Sequence, residues 1–285
     1  MIPLFAELCA GTAALSLRLH GGKNARPPVS RMGNKQGYAA AILRTLGLRS
    51  GSGAARYLWC EPDDGCRLLL TSYKDAELRS KAAAIIRGWK DEDPRALWER
   101  LRAEGPVKAP PVDPREVARL VMLSGWSVKG SNLASVFFRG PHGVSSGDHE
   151  RRALTIPGAA TRLSPLPTLP ASILPDARAV DPPRLPPGSV VYIDPPYVNT
   201  TGYAHDLGRE AVCEIAERWA SAGAWVVISE AEPLAELGWH QVEITGERVG
   251  QKRTFSKQQR EYLTMSQPPR WRPSVQNTLF PMAAK

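Results

Sequence analysis

The residues best suited to chemistry in this chain are Asp194, Pro195, Pro196 and Tyr197, which follow directly after the apolar residues 190–193. Residues 189–193 predict a buried strand that ends at Asp194, because a proline has no N–H with which to continue a strand ladder. Ligands of open α/β sheets bind in the crevice beyond the carboxyl ends of the strands. At such a position the Asp194 carboxylate and the Pro195 carbonyl can accept both hydrogens of an amino group on an aromatic ring, and Tyr197 can stack on that ring. The alternative interpretation is an ordinary turn with a tyrosine in the core.

This tetrapeptide resembles the Asp-Pro-Pro-Tyr signature of the amino-methyltransferases, which act on N6 of adenine or N4 of cytosine. The order of the motifs resembles that of the Dam-type (D12 class) DNA adenine-N6 methyltransferases over most of residues 1–266. The resemblance implies S-adenosylmethionine as the cofactor, double-stranded DNA as the substrate, and catalysis by the four residues named above. The target base is flipped out, and hydrogen bonds to both amino hydrogens localise the nitrogen lone pair for attack on the sulfonium methyl.

Three other functions stay open on the sequence. The same tetrapeptide serves N4-cytosine methylation, and ribosomal RNA bases are further substrates of this chemistry. A DNA-binding module on a degenerate methyltransferase fold is the alternative outside the enzyme class. Ala13 favours that alternative, because the relatives have a glycine at this position.

Residues 4–15 predict a strand, a turn of small residues and the start of a helix, an arrangement that brings backbone N–H groups close to a ligand. The relatives have an acid followed by Phe-x-Gly-x-Gly here. This chain keeps the acid as Glu7 and the first glycine as Gly11, but it has Cys9 in place of Phe and Ala13 in place of the second glycine. The resemblance implies three cofactor-binding residues at this turn: Glu7, Ala10 and Gly11.

Acids at two other strand ends are further candidates for contacts with the cofactor. An acid after the strand 56–60 is placed to bind ribose hydroxyls, and we prefer Glu61 with Asp63 as the substitute. The relatives also have an acid near the adenine of the cofactor, before the catalytic strand. The resemblance assigns this role to Asp176, with Asp181 as the competitor.

Gly33, Asn34 and Lys35 form a third candidate segment for the cofactor. They resemble a Gly-Gly-Lys segment that closes over the methionine end of the cofactor in the Dam-type enzymes. That segment precedes the glycine turn in the relatives, whereas it follows the turn here, so the order of two elements is rearranged. An ordinary basic surface loop is the alternative.

The fold expected from these features is an α/β, Rossmann-like, doubly wound methyltransferase core with an inserted target-recognition region. We expect the cofactor-binding half at residues 1–104, the insertion at 105–175, the catalytic half at 176–266 and a flexible tail at 267–285. Residues 67–89 predict one long helix, and the alternation of strands and helices is expected to fail over residues 115–175.

Cations among Gly, Ser and Asn in the predicted insertion suit the phosphates and base edges of a duplex. The loop around Tyr203 and the basic stretch 248–257 are expected on the DNA side as well. A disordered basic insertion and a solvated hairpin are the alternatives. The candidate DNA-binding residues are Lys129, Asn132, Arg139, Arg151, Arg152, Tyr203, Lys252 and Arg253.

The composition favours a polyanionic partner, because 37 Lys and Arg residues against 28 Asp and Glu residues give the 285-residue chain a net charge of +9. The four cysteines lack paired spacing, so no metal is expected. Neither a signal peptide nor a membrane span is evident, which predicts a cytoplasmic protein, bacterial or phage-encoded, that joins the nucleoid when it binds DNA.

The last residues contain a Gln-x-x-Leu-Phe sequence at 276–280. It resembles the peptide by which replication proteins dock on the bacterial sliding clamp. The resemblance implies the clamp as a second partner, bound by Gln276, Leu279 and Phe280 from an exposed terminus.

Overall fold

The computed structural model describes residues 1–29, 35–108, 112–127, 154–196, 207–244 and 261–270. In these residues, seven strands form one mixed sheet. The strands are β1 (Ile2–Leu8), β2 (Ala54–Cys60), β3 (Ala171–Leu174), β4 (Val190–Ile193), β5 (Trp225–Glu230), β6 (His240–Ile244) and β7 (Glu261–Met265).

The described residues also form eight α-helices. They are α1 (Ala14–Gly21), α2 (Ala39–Thr45), α3 (Asp64–Lys74), α4 (Ala76–Gly88), α5 (Pro94–Ala103), α6 (Pro114–Trp126), α7 (Ile156–Leu163) and α8 (Arg209–Ser221). A short 3-10 turn, Lys35–Gly37, precedes α2. Within the described ranges, no helix combines the length and the apolar character needed to cross a membrane.

The order of the strands in the sheet is β3-β2-β1-β4-β5-β7-β6. The first five strands are parallel, and β7 runs antiparallel to both β5 and β6. The chain therefore moves outward from β1 to β3 and then crosses back to place β4 on the other side of β1, as in doubly wound folds. This result confirms the α/β class and is compatible with a Rossmann-like fold, in which ligands bind at the switch point between β1 and β4.

The central strands are buried on both faces, which explains why their sequences are almost continuously apolar. On one face, side chains such as Phe5 and Trp59 pack with the buried residues of α1 to α7. On the other face, side chains such as Leu8 and Val191 pack with α8. The alternation follows from the two-residue period of a strand.

Acidic residues fix the starts of the helices on the first face. The carboxylates of Asp63, Asp75, Asp93 and Asp113 accept backbone N–H bonds at the starts of α3, α4, α5 and α6. The prediction of one helix over residues 67–89 is wrong, because Asp75 adopts an extended conformation and accepts from the N–H groups of Glu77 and Leu78. An aspartate that bonds to local backbone groups ends one helix and starts the next.

The described parts of the predicted insertion, residues 105–175, belong to the same body as the sheet. Helices α6 and α7 pack against α4 in the first hydrophobic cluster, and β3 pairs in parallel with β2 at the edge of the sheet. The core therefore extends into the range assigned to target recognition. Residues 128–153, with most of the predicted DNA contacts of this range, lie outside the described residues.

Arg79 in α4 is a buried cation that connects these layers, and only 2% of its surface is exposed. Its Nη1 donates to the carbonyl of Ser72 at 2.6 Å, and its Nη2 donates to the carbonyl of Leu166 at 2.6 Å and to Thr168 Oγ1 at 3.1 Å. The guanidinium thus joins the α3–α4 junction to the segment that leads into β3.

We expect Arg79→Met to lower the free energy of unfolding by about 1–4 kcal/mol. The substitution leaves the buried Leu166 carbonyl without its donor, which costs about 1–3 kcal/mol, and it leaves the Ser72 carbonyl with only the N–H of Asp75 at 3.3 Å. Urea denaturation followed by circular dichroism measures the change. Arg87→Met, at an exposed position of the same helix, is the matched control and is expected to change stability by less than about 0.5 kcal/mol. A loss for Arg79→Met no larger than that of the control would contradict the assignment.

Candidate functional site

The turn after β1 is built from backbone conformations that most residues avoid. Gly11 has φ 52°, and two residues with side chains, Cys9 and Ala13, have φ 60° and φ 48°. The turn closes with a hydrogen bond from the Ala13 N–H to the Ala10 carbonyl at 2.7 Å. Ala13 therefore adopts the left-handed conformation that favours glycine, which is the residue type that the amino-methyltransferase signature has at this position.

Glu7 stabilises this turn through a hydrogen bond with the start of α1. Its Oε1 accepts from the N–H of Ser16, in the first turn of α1, at 2.7 Å. Ala13 occupies the N-cap position and offers no capping side chain, so Glu7 supplies the acceptor that the start of the helix needs. Burial raises the pKa of Glu7 to about 7. The predicted cofactor residue Glu7 thus has a described partner within the protein and holds the turn in place.

Glu61 connects the turn to the end of β2. Its Oε2 accepts from the N–H of Gly11 at 2.7 Å, and its Oε1 accepts from the N–H of Asp63 at 3.0 Å. Asp63, the substitute candidate, instead caps α3 by accepting from the N–H of Cys66 at 2.8 Å. Of the two acids, Glu61 is therefore the one that contacts the glycine turn.

Asp194 lies at the switch point between β1 and β4. Its N–H donates to the carbonyl of Leu8 at 3.2 Å, so the end of β4 is held against the end of β1. The side chain is 20% exposed, and its Oδ1 lies 2.6 Å from the Nζ of Lys35. Pro195 is buried and Pro196 is partly buried. The structure therefore brings together Asp194, Lys35 and the turn at Ala10 and Gly11.

Lys35 is held between two carboxylates of different strands. Its Nζ also lies 3.6 Å from Glu261 Oε1, and the side chains of Lys35 and Glu261 are 6% and 2% exposed. The Ser229 hydroxyl at the end of β5 donates to the same Glu261 oxygen. The segment that follows the turn in sequence therefore reaches the Asp-Pro-Pro residues in space.

Burial dominates the electrostatics of this edge. Desolvation raises the pKa of Asp194 to about 6, although the Lys35 ammonium lowers it. Desolvation also raises the pKa of Glu230, at the end of β5, to about 7. The pKa of the Cys9 thiol is raised well above its ordinary value, first by burial and then by Glu61 and Asp194. An edge of this kind suits ligands that bring hydrogen-bond donors or positive charge.

Asp176 lies at the same edge but in a more exposed position. It follows β3, whose last carbonyl, that of Leu174, accepts from the N–H of Glu61 at 2.9 Å. The Asp176 carboxylate pairs with Arg178 at 3.0 Å, and its side chain is 37% exposed. Within the described part of the chain, no group of three or more His, Cys, Asp or Glu side chains could hold a metal ion.

Sequence reasoning missed two acids of the site, Glu230 and Glu261. Glu230 is the last residue of the apolar strand β5. Glu61 and Asp194 are candidates because each is an acid at the carboxyl end of a predicted strand, and Glu230 meets the same criterion when the predicted strand 224–229 is extended by one residue. Glu261 begins β7 and does not end it. The sequence predicts residues 239–245 and 261–266 as the last antiparallel pair, and the pairing of β6 with β7 confirms this prediction. Glu261 reaches the same edge because β7 is also antiparallel to β5, a pairing that the sequence does not reveal.

Many predicted site residues lie outside the described ranges, and their assignments stay predictions. For the cofactor and the catalytic turn they are Gly33, Asn34 and Tyr197. For DNA they are Lys129, Asn132, Arg139, Arg151, Arg152, Tyr203, Lys252 and Arg253, and for the clamp they are Gln276, Leu279 and Phe280.

The raised pKa of Glu7 predicts a pH-dependent effect of Glu7→Gln. Folded Glu7 binds its proton more tightly than the unfolded chain does, so its contribution to stability is complete below about pH 4.5 and is lost as the pH rises to about 7. Glutamine does not titrate and keeps an oxygen for the Ser16 N–H. We therefore expect the stability of Glu7→Gln relative to wild type to rise by about 2–3 kcal/mol between pH 4.5 and 8.

Urea denaturation at several pH values measures this difference. Glu214→Gln, at an exposed position of α8, changes the net charge in the same way and is the matched control. A Glu7→Gln difference that does not vary with pH would contradict the buried, protonated state of Glu7 at low pH.

Comparison with known proteins leaves this site without an assigned family. No protein-family model matches the chain, and a search of curated proteins returns no match.

Proposed function

We propose that this protein transfers a methyl group from S-adenosylmethionine to the N6 amino group of adenine in DNA. The observation that carries the proposal is the position of Asp194, which lies at the switch point of the sheet, one hydrogen bond from the end of β1. A rigid Asp-Pro-Pro turn beside a small-residue turn is the arrangement that methyl transfer to an amino group requires, because both reactants must meet in one crevice.

The residues of the crevice fit the proposed cofactor, which supplies an electrophilic methyl group on a positively charged sulfur. The acids Glu61, Asp194 and Glu261 at the crevice edge favour a cationic ligand, and Glu61 is near enough to the glycine turn to accept from ribose hydroxyls. The left-handed conformation of Ala13 supports a cofactor turn despite the lost glycine. This observation weakens the alternative of a non-catalytic DNA-binding module.

Asp194 and the Pro195 carbonyl would accept the two amino hydrogens and direct the nitrogen lone pair toward the methyl group. In the structure, Lys35 already donates to Asp194 Oδ1. An incoming amino group therefore competes with Lys35 for this oxygen. Glu261 offers the displaced ammonium another acceptor, 3.6 Å from its present position. Lys35 thus becomes a positioning residue that holds Asp194 ionised in the free protein.

The remaining parts of the proposal extend the sequence predictions. Tyr197 would stack on the flipped base, and the cations at 129–152 and 248–257 would contact the phosphates of the duplex. Cytoplasmic location, with attachment to the nucleoid through DNA, follows from the proposed substrate. Nucleoside analysis of treated DNA and RNA separates adenine-N6 methylation from N4-cytosine and ribosomal RNA methylation.

We expect Asp194→Asn to reduce methyl transfer at least about 100-fold, because the amide loses the negative charge of the carboxylate and has an NH2 donor in place of one of its oxygens. The measurement is the transfer of tritium from labelled S-adenosylmethionine to DNA, and calorimetry with S-adenosylmethionine checks that cofactor binding persists. Asp91→Asn, which removes an exposed carboxylate between α4 and α5, is the matched control and is expected to retain full activity. Equal transfer by the two variants would rule out the proposed role of Asp194.

The pH dependence of methyl transfer tests Lys35 and Glu261 as a pair. Ionised Asp194 accepts one of the two amino hydrogens and its protonated form is a weaker acceptor, so kcat/KM is expected to fall as the pH drops through about 6. Lys35 lowers the pKa of Asp194 and Glu261 raises it. Lys35→Met should therefore move the acidic limb of the profile to higher pH, and Glu261→Gln should move it to lower pH. Shifts in the same direction would contradict this arrangement, since general damage to the site has no reason to give opposite signs.

A further inference from the structure

The positive charge of the chain is concentrated in one stretch. Residues 8–60 contain eight Lys and Arg residues and no Asp or Glu. The rest of the chain contains 29 Lys and Arg residues against 28 Asp and Glu residues, so this stretch supplies nearly all of the net charge of +9. Six of its cations are described and lie outside the candidate site, and we call them the basic end: Arg18, Lys23, Arg26, Arg44, Arg49 and Arg56.

The basic end is assembled by hydrogen bonds between the end of α1 and the loop 47–53. The N–H of Gly51 donates to the Arg18 carbonyl at 3.2 Å, and the N–H of Gly53 donates to the Leu19 carbonyl at 2.9 Å. Arg18 Nε donates to Ser50 Oγ at 3.1 Å. These contacts place the cations of α1, of the following turn and of the loop beside the start of β2.

The basic end and the candidate site lie at opposite ends of the strands. Ile2 pairs with Ala54 at the amino ends of β1 and β2, whereas Leu8 pairs with Cys60 at their carboxyl ends. The two pairs are six residue positions apart along the strands, which corresponds to a distance of about 20 Å. The two surfaces are therefore distinct.

Helix dipoles explain only part of this charge. Arg18 and Arg44 lie in the last turns of α1 and α2, where a cation stabilises the helix. Lys23, Arg26, Arg49 and Arg56 lie outside the helices and are exposed. The ion pairs of the described residues involve other cations, such as those of α4, α5 and α8. The charge of these four residues thus has no compensation among the described carboxylates.

We propose that the basic end binds the phosphate backbone of double-stranded DNA as a second contact surface, remote from the candidate site. Clustered cations repel one another, and phosphates remove this cost while they release counterions. The exposed Ser50 and Ser52 add hydroxyl groups, which also bind phosphates. A membrane surface is disfavoured, because stable attachment to a membrane needs an apolar face or a lipid chain in addition to the cations. Among the described residues, the only exposed large hydrophobic side chains are Met1 and Val112.

The basic end is expected to bind DNA without sequence specificity, because contacts with phosphates do not distinguish one base from another. It binds DNA whether or not the protein transfers a methyl group. Its role is to retain the protein on flanking duplex and to raise the rate of association with DNA.

The test compares two triple variants of the full chain that lose the same charge. Lys23→Gln, Arg26→Gln and Arg49→Gln together remove three cations of the basic end. Lys81→Gln, Lys90→Gln and Arg95→Gln remove three exposed cations of the α4–α5 region, where each lies near a carboxylate. Fluorescence anisotropy with a labelled duplex of arbitrary sequence gives the binding constant as a function of salt, and circular dichroism checks that both variants fold.

The slope of log K against log salt is negative, and each phosphate contact contributes about −0.9 to it. We therefore expect the magnitude of the slope to decrease by about 2–3 for the basic-end variant. The control variant should keep a slope within about 1 of wild type. Equal changes in the two variants would overturn the proposal, because the net charge alone would then account for binding. An unchanged slope in the basic-end variant would overturn it as well.

Two further measurements separate this proposal from its competitors. Methyl transfer by the wild-type protein is measured separately, whereas the salt dependence is determined without S-adenosylmethionine, so a failure of methyl transfer leaves the test of the basic end unaffected. Vesicles that contain phosphatidylserine test the membrane alternative with the same two triple variants. Vesicle binding that depends on the basic end, together with a duplex slope that does not, would overturn the proposal.

Discussion

The carboxyl edge of this sheet depends on one desolvated ion pair, that of Lys35 and Asp194. Acids from neighbouring strand ends converge there, and water is largely excluded, so each charge costs free energy unless a partner compensates it. The Nζ of Lys35 lies 2.6 Å from Asp194 Oδ1 and 3.6 Å from Glu261 Oε1. Its single positive charge therefore compensates carboxylates at the ends of two different strands. A cation that serves two carboxylates can move between them at little electrostatic cost. The same contact that stabilises this edge would thus allow a ligand to replace Lys35 at one of the two acceptors.

The turn after β1 shows how the strain of a ligand-binding loop is supported. Three residues of positive φ occur within five positions, and for residues with a side chain this conformation costs about 1–2 kcal/mol each. Two hydrogen bonds offset this cost. Glu7 accepts from the N–H of Ser16 in the first turn of α1, and Glu61 accepts from the N–H of Gly11. Both acids were predicted as cofactor residues, and both act first on the backbone that would face the cofactor. Glu7, the acid before the glycine turn, therefore stabilises the fold whether or not a ligand binds.

Local patterns predicted the parts of the site that local interactions determine. The ends of β2 and β4, and hence Glu61 and Asp194, follow from apolar runs that stop at an acid. The contact of Lys35 with Asp194 spans 159 positions, and no pattern suggested it. The resemblance to a displaced Gly-Gly-Lys segment placed Lys35 only near the cofactor. The break at Asp75 was missed because helical periodicity continues across it. The role of Glu261 in the site was missed because it depends on the pairing of β7 with β5, which no local pattern encodes. Only the resemblance placed a strand before Asp176, because the place of β3 depends on its pairing with the distant β2.

The distribution of charge along the strands constrains how any duplex can approach. Acids cluster at the carboxyl edge, which suits a cationic sulfonium and an uncharged base but repels phosphates. Cations cluster at the amino edge, about 20 Å away, where phosphates are attracted. Under the proposed function, a duplex that delivers a base to the crevice needs cations to offset these acids, and this is the role predicted from the sequence for residues at 129–152 and 252–253. The acidic edge would then admit an uncharged flipped base more readily than a phosphate, so the repulsion that opposes DNA binding at the crevice would favour base flipping over insertion of an intact strand.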